Sequence, residues 1–346
     1  MTDTSRSNSI GADSGQCPAG SVPRIDPASP LQFVINASAG AFDLDAKRAV
    51  IESALTAQGR KSELLICQPP DLAQVAAEAA ATAVARNTAV IAVGGDGSLN
   101  TIAQAAHAAG CAMGVIPYGT FNYFARTHDI PTEPAAAAQQ ILNAHATPVQ
   151  VGAINDRIFL VNASLGAYPE LLQDREAYKA RFGRSRWVAF AAACVTLLRA
   201  QRQLRLHIEM VSAVRDVQTL TLFVGNNRLQ LQQFGAEPED TLPGTPGHGS
   251  LAALMLRPIG TLSMLRLMLH GAMGRLREAA GVEGFEFQHM VVKPTLAPGR
   301  KEVVVAFDGE VARMRPPIDI SVHDKPLYLL QATGAAGTAE ASEAAT

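Results

Sequence analysis

The chain has little of what usually marks a function class outright. Its four cysteines, Cys17, Cys67, Cys111 and Cys194, lie far apart and form no CxxC pair, so spacing points to neither a zinc site nor a disulfide framework. The eight histidines form no HExxH or related metal spacing. A formal net charge of -2 over 346 residues leaves no global electrostatic footprint for nucleic acid, and no nucleic-acid partner is expected. No apolar run reaches the roughly 18 to 20 residues of a spanning helix. The longest, WVAFAAACVTLL from Trp187 to Leu198, is stopped by arginine at both ends, which describes a buried or membrane-surface helix. The first thirty residues lack the apolar core of a signal peptide and read as a disordered lead (residues 1–30), matched by a disordered tail (residues 332–346). A cytoplasmic protein is the expectation. There is no internal repeat.

What is present is apolar content sufficient for two cores, 48% of residues, in a chain longer than most single domains. From Leu31 to about Gln150, short apolar runs alternate with Ala-rich helical stretches: LQFVINA, AKRAVIESALTAQG, SELLICQ, DLAQVAAEAAATAVARN, TAVIAVGG, a helix after Ser98, and CAMGVIPYG. Strand and helix in strict alternation predict a parallel sheet covered by helices. In such sheets ligands sit beyond the carboxyl ends of the strands. Past Val151 the texture turns to β-rich segments (RLHIEMV, TLTLFVGNN, SLAALML, VVVAFDGEVARM, PIDISV) with one helical insertion near residues 170–203. The expected fold is therefore an α/β nucleotide-binding domain with a parallel sheet over residues 31–150, followed by a mostly antiparallel, sandwich-like second domain over residues 151–331. The Pro- and Gly-rich segment 235–249 reads as a loop.

Three polar glycine turns end three of the predicted parallel strands. In VGGDGSLN, Gly94, Gly95 and Gly97 let backbone N–H groups converge on an anion, helix onset near Ser98 adds a positive dipole end, and Asp96 can face magnesium. A tight turn with Asp96 or Ser98 as helix cap is the plain alternative. In IPYGTFNYFAR, Gly119, Thr120 and Asn122 repeat the combination, and in INASAG Asn36 would face the same crevice. Three such turns on one sheet edge describe a nucleotide site better than turn chemistry does. Far along the chain, FDGE places Asp308 and Glu310 at a tight turn; Asp-Gly is a favoured hairpin connection, and a carboxylate there could also orient or deprotonate a hydroxyl during phosphoryl transfer.

GGDGSLN (Gly94 to Asn100), PYGTFNYFAR (Pro117 to Arg126), VGNN (Val224 to Asn227) and FDGE (Phe307 to Glu310) occur in this order. In this the chain resembles the diacylglycerol kinase catalytic-domain family, its bacterial lipid kinases above all, with sphingosine and ceramide kinases as further members. The resemblance implies an ATP-dependent kinase that phosphorylates a lipid with a free hydroxyl at a cleft between two domains. It implies ATP-binding roles for Asn36, Gly94, Gly95, Asp96, Gly97, Ser98, Asn100, Gly119, Thr120 and Asn122, with Mg²⁺ near Asp96. Asp308 becomes the general-base candidate and Glu310 its close alternative. Three positions depart from the family pattern: Tyr123 stands where an acid is common, Ala37 replaces a turn proline, and Cys67 occupies a position often held by a nucleotide-contacting threonine. His248 stands near the acid of a loop that can hold a structural magnesium in bacterial relatives, and no metal is expected there because imidazole suits that cation poorly.

Between Arg175 and Arg205 eight Lys or Arg residues face one acid, Glu176. This suits either peripheral contact with an anionic membrane surface, on the inner face, or a solvated face over a core helix. TLSMLRLMLHGAMGRLR, residues 261–277, reads first as core packing and second as lining for an acyl chain. A homodimer is compatible with the sequence. The rival readings are an NAD-kinase-like phosphotransferase, which shares GGDG, and a non-catalytic lipid-binding or regulatory protein on a degenerate kinase frame.

Overall fold

The computed structural model describes residues 22–38, 44–166, 203–211, 213–226, 249–256 and 282–332. The basic segment 175–205 up to residue 202, the loop with His248, and the 261–277 stretch lie outside the described residues.

Strands β1 (Leu31–Asn36), β3 (Ala89–Gly94) and β4 (Ala112–Pro117) are buried along their whole length, as their unbroken apolar runs require of strands covered on both faces. With β2 (Ser62–Cys67) they form a parallel array in the order β2-β1-β3-β4. Helices α1 (Leu44–Gln58), α2 (Leu72–Ala85) and α3 (Asp96–Ala109) are the crossovers. The buried stripe of α2, Leu72, Ala76, Ala79, Ala80 and Ala83, has the helical period of a packed face with small side chains that allow close approach. Helix α3 ends at Gly110, whose φ of 75° lets its N–H turn back to the carbonyls of Ala106 and His107. Short helix α4 (Tyr123–Thr127), α5 (Pro134–Leu142) and β5 (Ala144–Val149) complete this part.

The second core lies between two six-stranded antiparallel sheets. One runs β10 (Val214–Thr219), β9 (Leu204–Met210), β14 (His289–Pro294), β17 (Ile318–Val322), β6 (Gly152–Ile154) and β7 (Arg157–Phe159). The other runs β13 (Val282–Phe287), β12 (Leu251–Leu256), β11 (Thr221–Gly225), β8 (Asn162–Gly166), β15 (Val303–Phe307) and β16 (Glu310–Met314). Residues from both, such as Ile208, Met290 and Ile320 from the first and Leu165, Val224 and Val305 from the second, share one cluster, as in a sandwich.

Two boundaries expected from sequence shift. The last strand, β18 (Leu327–Ala332), does not belong to the second body. It returns to the first sheet between β4, to which it is parallel, and β5, to which it is antiparallel. The physical reason is burial: Leu327, Leu329 and Leu330 pack in the first core, and Gly114 on β4 leaves room for the Leu330 side chain. At the other end, residues 22–30 of the expected disordered lead are placed against the first body, where Asp26 N–H donates to the Asn87 carbonyl and Arg60 donates to the Asp26 carbonyl.

Because β18 is an internal strand of the first sheet, Leu329→Ala should lower stability by about 2–5 kcal/mol. Urea unfolding of the purified variant checks this, and a loss under about 0.5 kcal/mol would contradict the placement.

Candidate active site

The three glycine turns meet at the carboxyl edge of the parallel sheet. Gly94 closes β3 opposite Pro117 of β4, and its carbonyl accepts the Tyr118 N–H at 2.8 Å. The next step of each chain brings backbone against backbone: a Cβ on Gly95 would sit 3.2 Å from the Gly119 Cα, and one on Gly119 would meet Asn122 Oδ1 at 2.7 Å. Only glycine fits at this crossing. Gly97 differs, since a Cβ there would meet nothing within 4 Å. Helix α3 starts at Asp96, two residues earlier than expected, with Gly95 as its N-cap, so the free N–H groups of its first turn lie beside an open space at Gly97.

Asn36, buried at the end of β1, ties the first turn to the second. Its amide donates to Ser98 Oγ at 2.8 Å, and its Oδ1 accepts the Ser38 N–H at 3.0 Å. Asn122 has left-handed backbone (φ 51°) and its Oδ1 accepts the Gly119 N–H at 2.9 Å. Thr120 is exposed. Beside the Asn36 turn, Cys67, Gln68, Asp71 and Gln74 line a cavity of about 440 Å³. Burial raises the Cys67 thiol pKa, as does the Asp71 charge, and its sulfur donates to the Ile35 carbonyl.

Burial pushes the Asp96 carboxyl above the usual aspartate range, while the backbone N–H groups of Asn122, Phe124 and Tyr123 and the Arg126 charge pull it back. Its Oδ1 is buried without a hydrogen-bond partner. A buried carboxylate oxygen without a partner fits a hard divalent cation such as magnesium. No group of three or more His, Cys, Asp or Glu suited to a metal occurs among the described residues.

The FDGE hairpin reaches this edge from the second core. The Asp308 carboxylate is buried and accepts four hydrogen bonds: from the backbone N–H of Leu160 (2.6 Å), Val161 (2.8 Å) and Asn162 (3.0 Å), and from the Asn100 amide (2.6 Å). A carboxylate so engaged has no oxygen directed at solvent. Glu310, half-buried, stands beside Thr101 of α3 and Arg157 of β7. Burial raises its pKa, and the Arg157 charge and Thr101 hydroxyl oppose that rise. The structure thus brings together Asn36 with Ser98, Gly95 with Gly119 and Asn122, and Asn100 with Asp308; Asp308 serves as a tie and Glu310 is the less enclosed carboxylate.

Sequence reasoning missed two contributors. Gln104, one turn beyond Asn100 on α3, donates to the Ile158 carbonyl and to Asn100 Oδ1 and accepts the Ile158 N–H at 3.1 Å. Its i, i+4 spacing from Asn100 was the available signal. Lys47 is fully buried on α1, with Nζ 3.4 Å from the Asn36 carbonyl and 5.5 Å from the Tyr118 ring centroid; nothing in the AKRAV run separates it from its exposed neighbour Arg48. In VGNN, Asn226 joins the segments between the cores: its amide donates to the Gln150 and Leu160 carbonyls. Asn227 lies outside the described residues.

Comparison with known proteins agrees with this geometry. Residues 30–154 match the diacylglycerol kinase catalytic domain. The chain is 30% identical over 145 residues to a Pectobacterium atrosepticum protein named "Probable lipid kinase YegS-like", covering 40% of this chain and 48% of that one. It is 38% identical over 93 residues to a Bacillus subtilis diacylglycerol kinase, 25% of this chain and 29% of the other. These matches span under half the length of the relatives. In fold, a diacylglycerol kinase structure from Bacillus anthracis aligns with 87% of this chain and 96% of its own at a TM-score of 0.59 and 17% identity, which establishes the shared α/β and antiparallel architecture across both bodies.

Asp308→Asn should cost about 2–5 kcal/mol, because the amide nitrogen it introduces faces N–H donors in a buried site. Asn100→Ala in the same background should cost far less than in the parent, and a double-mutant cycle of urea midpoints measures that coupling. Additive losses would mean the two side chains do not interact.

Proposed function

We propose that the protein is an ATP-dependent kinase acting on a lipid hydroxyl at the cleft between its two cores. The observation that carries this reading is the docking of FDGE through Asp308 onto Asn100. It stands Glu310 beside Thr101 on the helix whose first turn borders the glycine cradle. The names of the relatives support a lipid as the acceptor class, and the kinase family supports phosphoryl transfer.

The cradle of Gly94 to Ser98, with Gly119, Thr120 and Asn122 opposite, would hold the ATP phosphates through converging N–H groups and the α3 dipole. The cavity beside Cys67 and Gln68 would offer room for the rest of the nucleotide. Asp96 would hold magnesium, which supplies positive charge against the phosphates when bound. Glu310 would accept the proton of the acceptor hydroxyl as its oxygen bonds to the γ-phosphorus. The bond from that phosphorus to the β,γ-bridging oxygen breaks, and ADP leaves. Burial, by raising the Glu310 pKa, makes the carboxylate a stronger base. No helix among the described residues is long and apolar enough to cross a membrane, so the lipid would be met at a membrane surface, here taken as the inner face.

Incubation of the pure protein with labelled ATP, magnesium and a total lipid extract should yield a labelled lipid. Glu310→Gln should reduce turnover by roughly 10² to 10⁴, with ATP affinity nearly unchanged. Since the base works ionised and its pKa is raised, the parent's turnover should climb with pH through a midpoint above the ordinary glutamate range, and that limb should vanish in the variant. A parent that binds ATP yet labels no lipid would defeat the proposal.

Gly97→Val tests the cradle separately. The side chain enters open space, so melting should change little while ATP affinity falls at least about tenfold; unchanged affinity by calorimetry would remove this turn from the nucleotide site.

A further inference from the structure

Phe121 and Tyr123 are the two exposed aromatic residues among those described, at 47% and 46% exposure. Their rings stack with centroids 5.3 Å apart and planes within 8°. The pair is held by a rigid turn. Asn122 between them is buried in left-handed backbone, bonded through Oδ1 to the Gly119 N–H and through its carbonyl to the Arg126 N–H at 3.0 Å, so its two neighbours project outward together. Exposed rings on a fixed turn forgo burial that folding would otherwise favour, yet lose little entropy when something covers them.

We propose that the Phe121–Tyr123 pair is a docking contact for a lipid surface, with Arg126 as its cationic flank. The inference rests on the lipid-kinase reading for the identity of the surface. Three observations choose that occupant. The rings rise from the turn that packs on the Gly95–Asp96 step, so they stand beside the cradle from which a phosphoryl group would be passed to a lipid. Tyr123 couples an apolar ring to a polar tip, the combination suited to the headgroup level. Arg126 is exposed, and its charge acts on Asp96, which puts a cation suited to anionic headgroups beside the same cradle.

Sedimentation with phosphatidylcholine vesicles containing phosphatidylglycerol, without ATP, reads the contact independently of catalysis. The Phe121→Ser/Tyr123→Ser double variant should partition at least about tenfold more weakly than the parent. The deficit should persist in about 0.5 M salt, where charge attraction is screened within a few ångströms. Phe121→Leu/Tyr123→Trp should retain parental partitioning. Equal partitioning of the parent and the double Ser variant, or loss of ATP affinity with vesicle binding intact, overturns the proposal; the latter outcome would assign the rings to the nucleotide. Should the Ser variant melt early, Tyr123→Trp in a Trp187→Phe background replaces it: quenching by brominated lipid supports insertion, and unquenched emission rejects it. A protein that docks through the pair and phosphorylates no lipid would lose the kinase reading alone.

Discussion

The Asp308 carboxylate comes from the second core, yet every hydrogen bond it accepts comes from outside its own hairpin: one from α3 of the first core and three from the chain at residues 160–162 where the two cores join. Burial pushes its pKa up, and the Leu160, Asn162, Val161 and Asn100 donors oppose that. All four partners donate, so a protonated carboxyl would turn its hydrogen toward another N–H. The donor set therefore favours the ionised form, against the rise that burial imposes. Removing a charge from water costs several kcal/mol unless such donors replace the solvent. The Asn100 donor is present only while the cores are docked, which couples the docking to the charge.

The turn geometry carries this constraint to Glu310. Asp308 and Gly309 have φ of 47° and 86°, the positive values that a two-residue hairpin connection of this hand requires. With no slack in the loop, Phe307 pairs directly with Glu310, and cross-strand partners share a face. Phe307 anchors that face in the second core, and the Arg157 guanidinium lies 5.8 Å from its ring centroid while also acting on Glu310. A tie at one residue thus determines where a carboxylate two residues later can stand.

The apolar runs of β1, β3 and β4 were legible because they are buried on both faces, and the glycine turns because convergence at a sheet edge demands small residues. The antiparallel texture beyond Val151 was equally plain. Strand β18 was not: LYLLQA has the same apolar pattern whichever sheet receives it, and the choice is made by the space that Gly114 leaves on β4. The four hydrogen bonds of Asp308 were hidden for a related reason. FDGE announces its turn and its acids, but the donors that occupy one carboxylate lie 146 to 208 residues away in the chain, and no local pattern encodes them. Gln104 escaped for want of a chemical signature beyond its spacing.

Three carboxylates meet at this edge, and their environments separate them into three tasks. Asp308, with all four donors in place, can hold structure but has no lone pair directed at an incoming hydroxyl. Asp96 has one oxygen buried without a partner, a cost of about 1–3 kcal/mol that a cation would relieve; it lies at the first turn of α3, where the helix dipole favours negative charge. Glu310 has neither a full donor set nor the helix-terminal position. It has partial burial that strengthens it as a base and a nearby guanidinium that keeps its ionised form accessible. Under the proposed reaction, Asp96 would take the cation and Glu310 would be left for the proton.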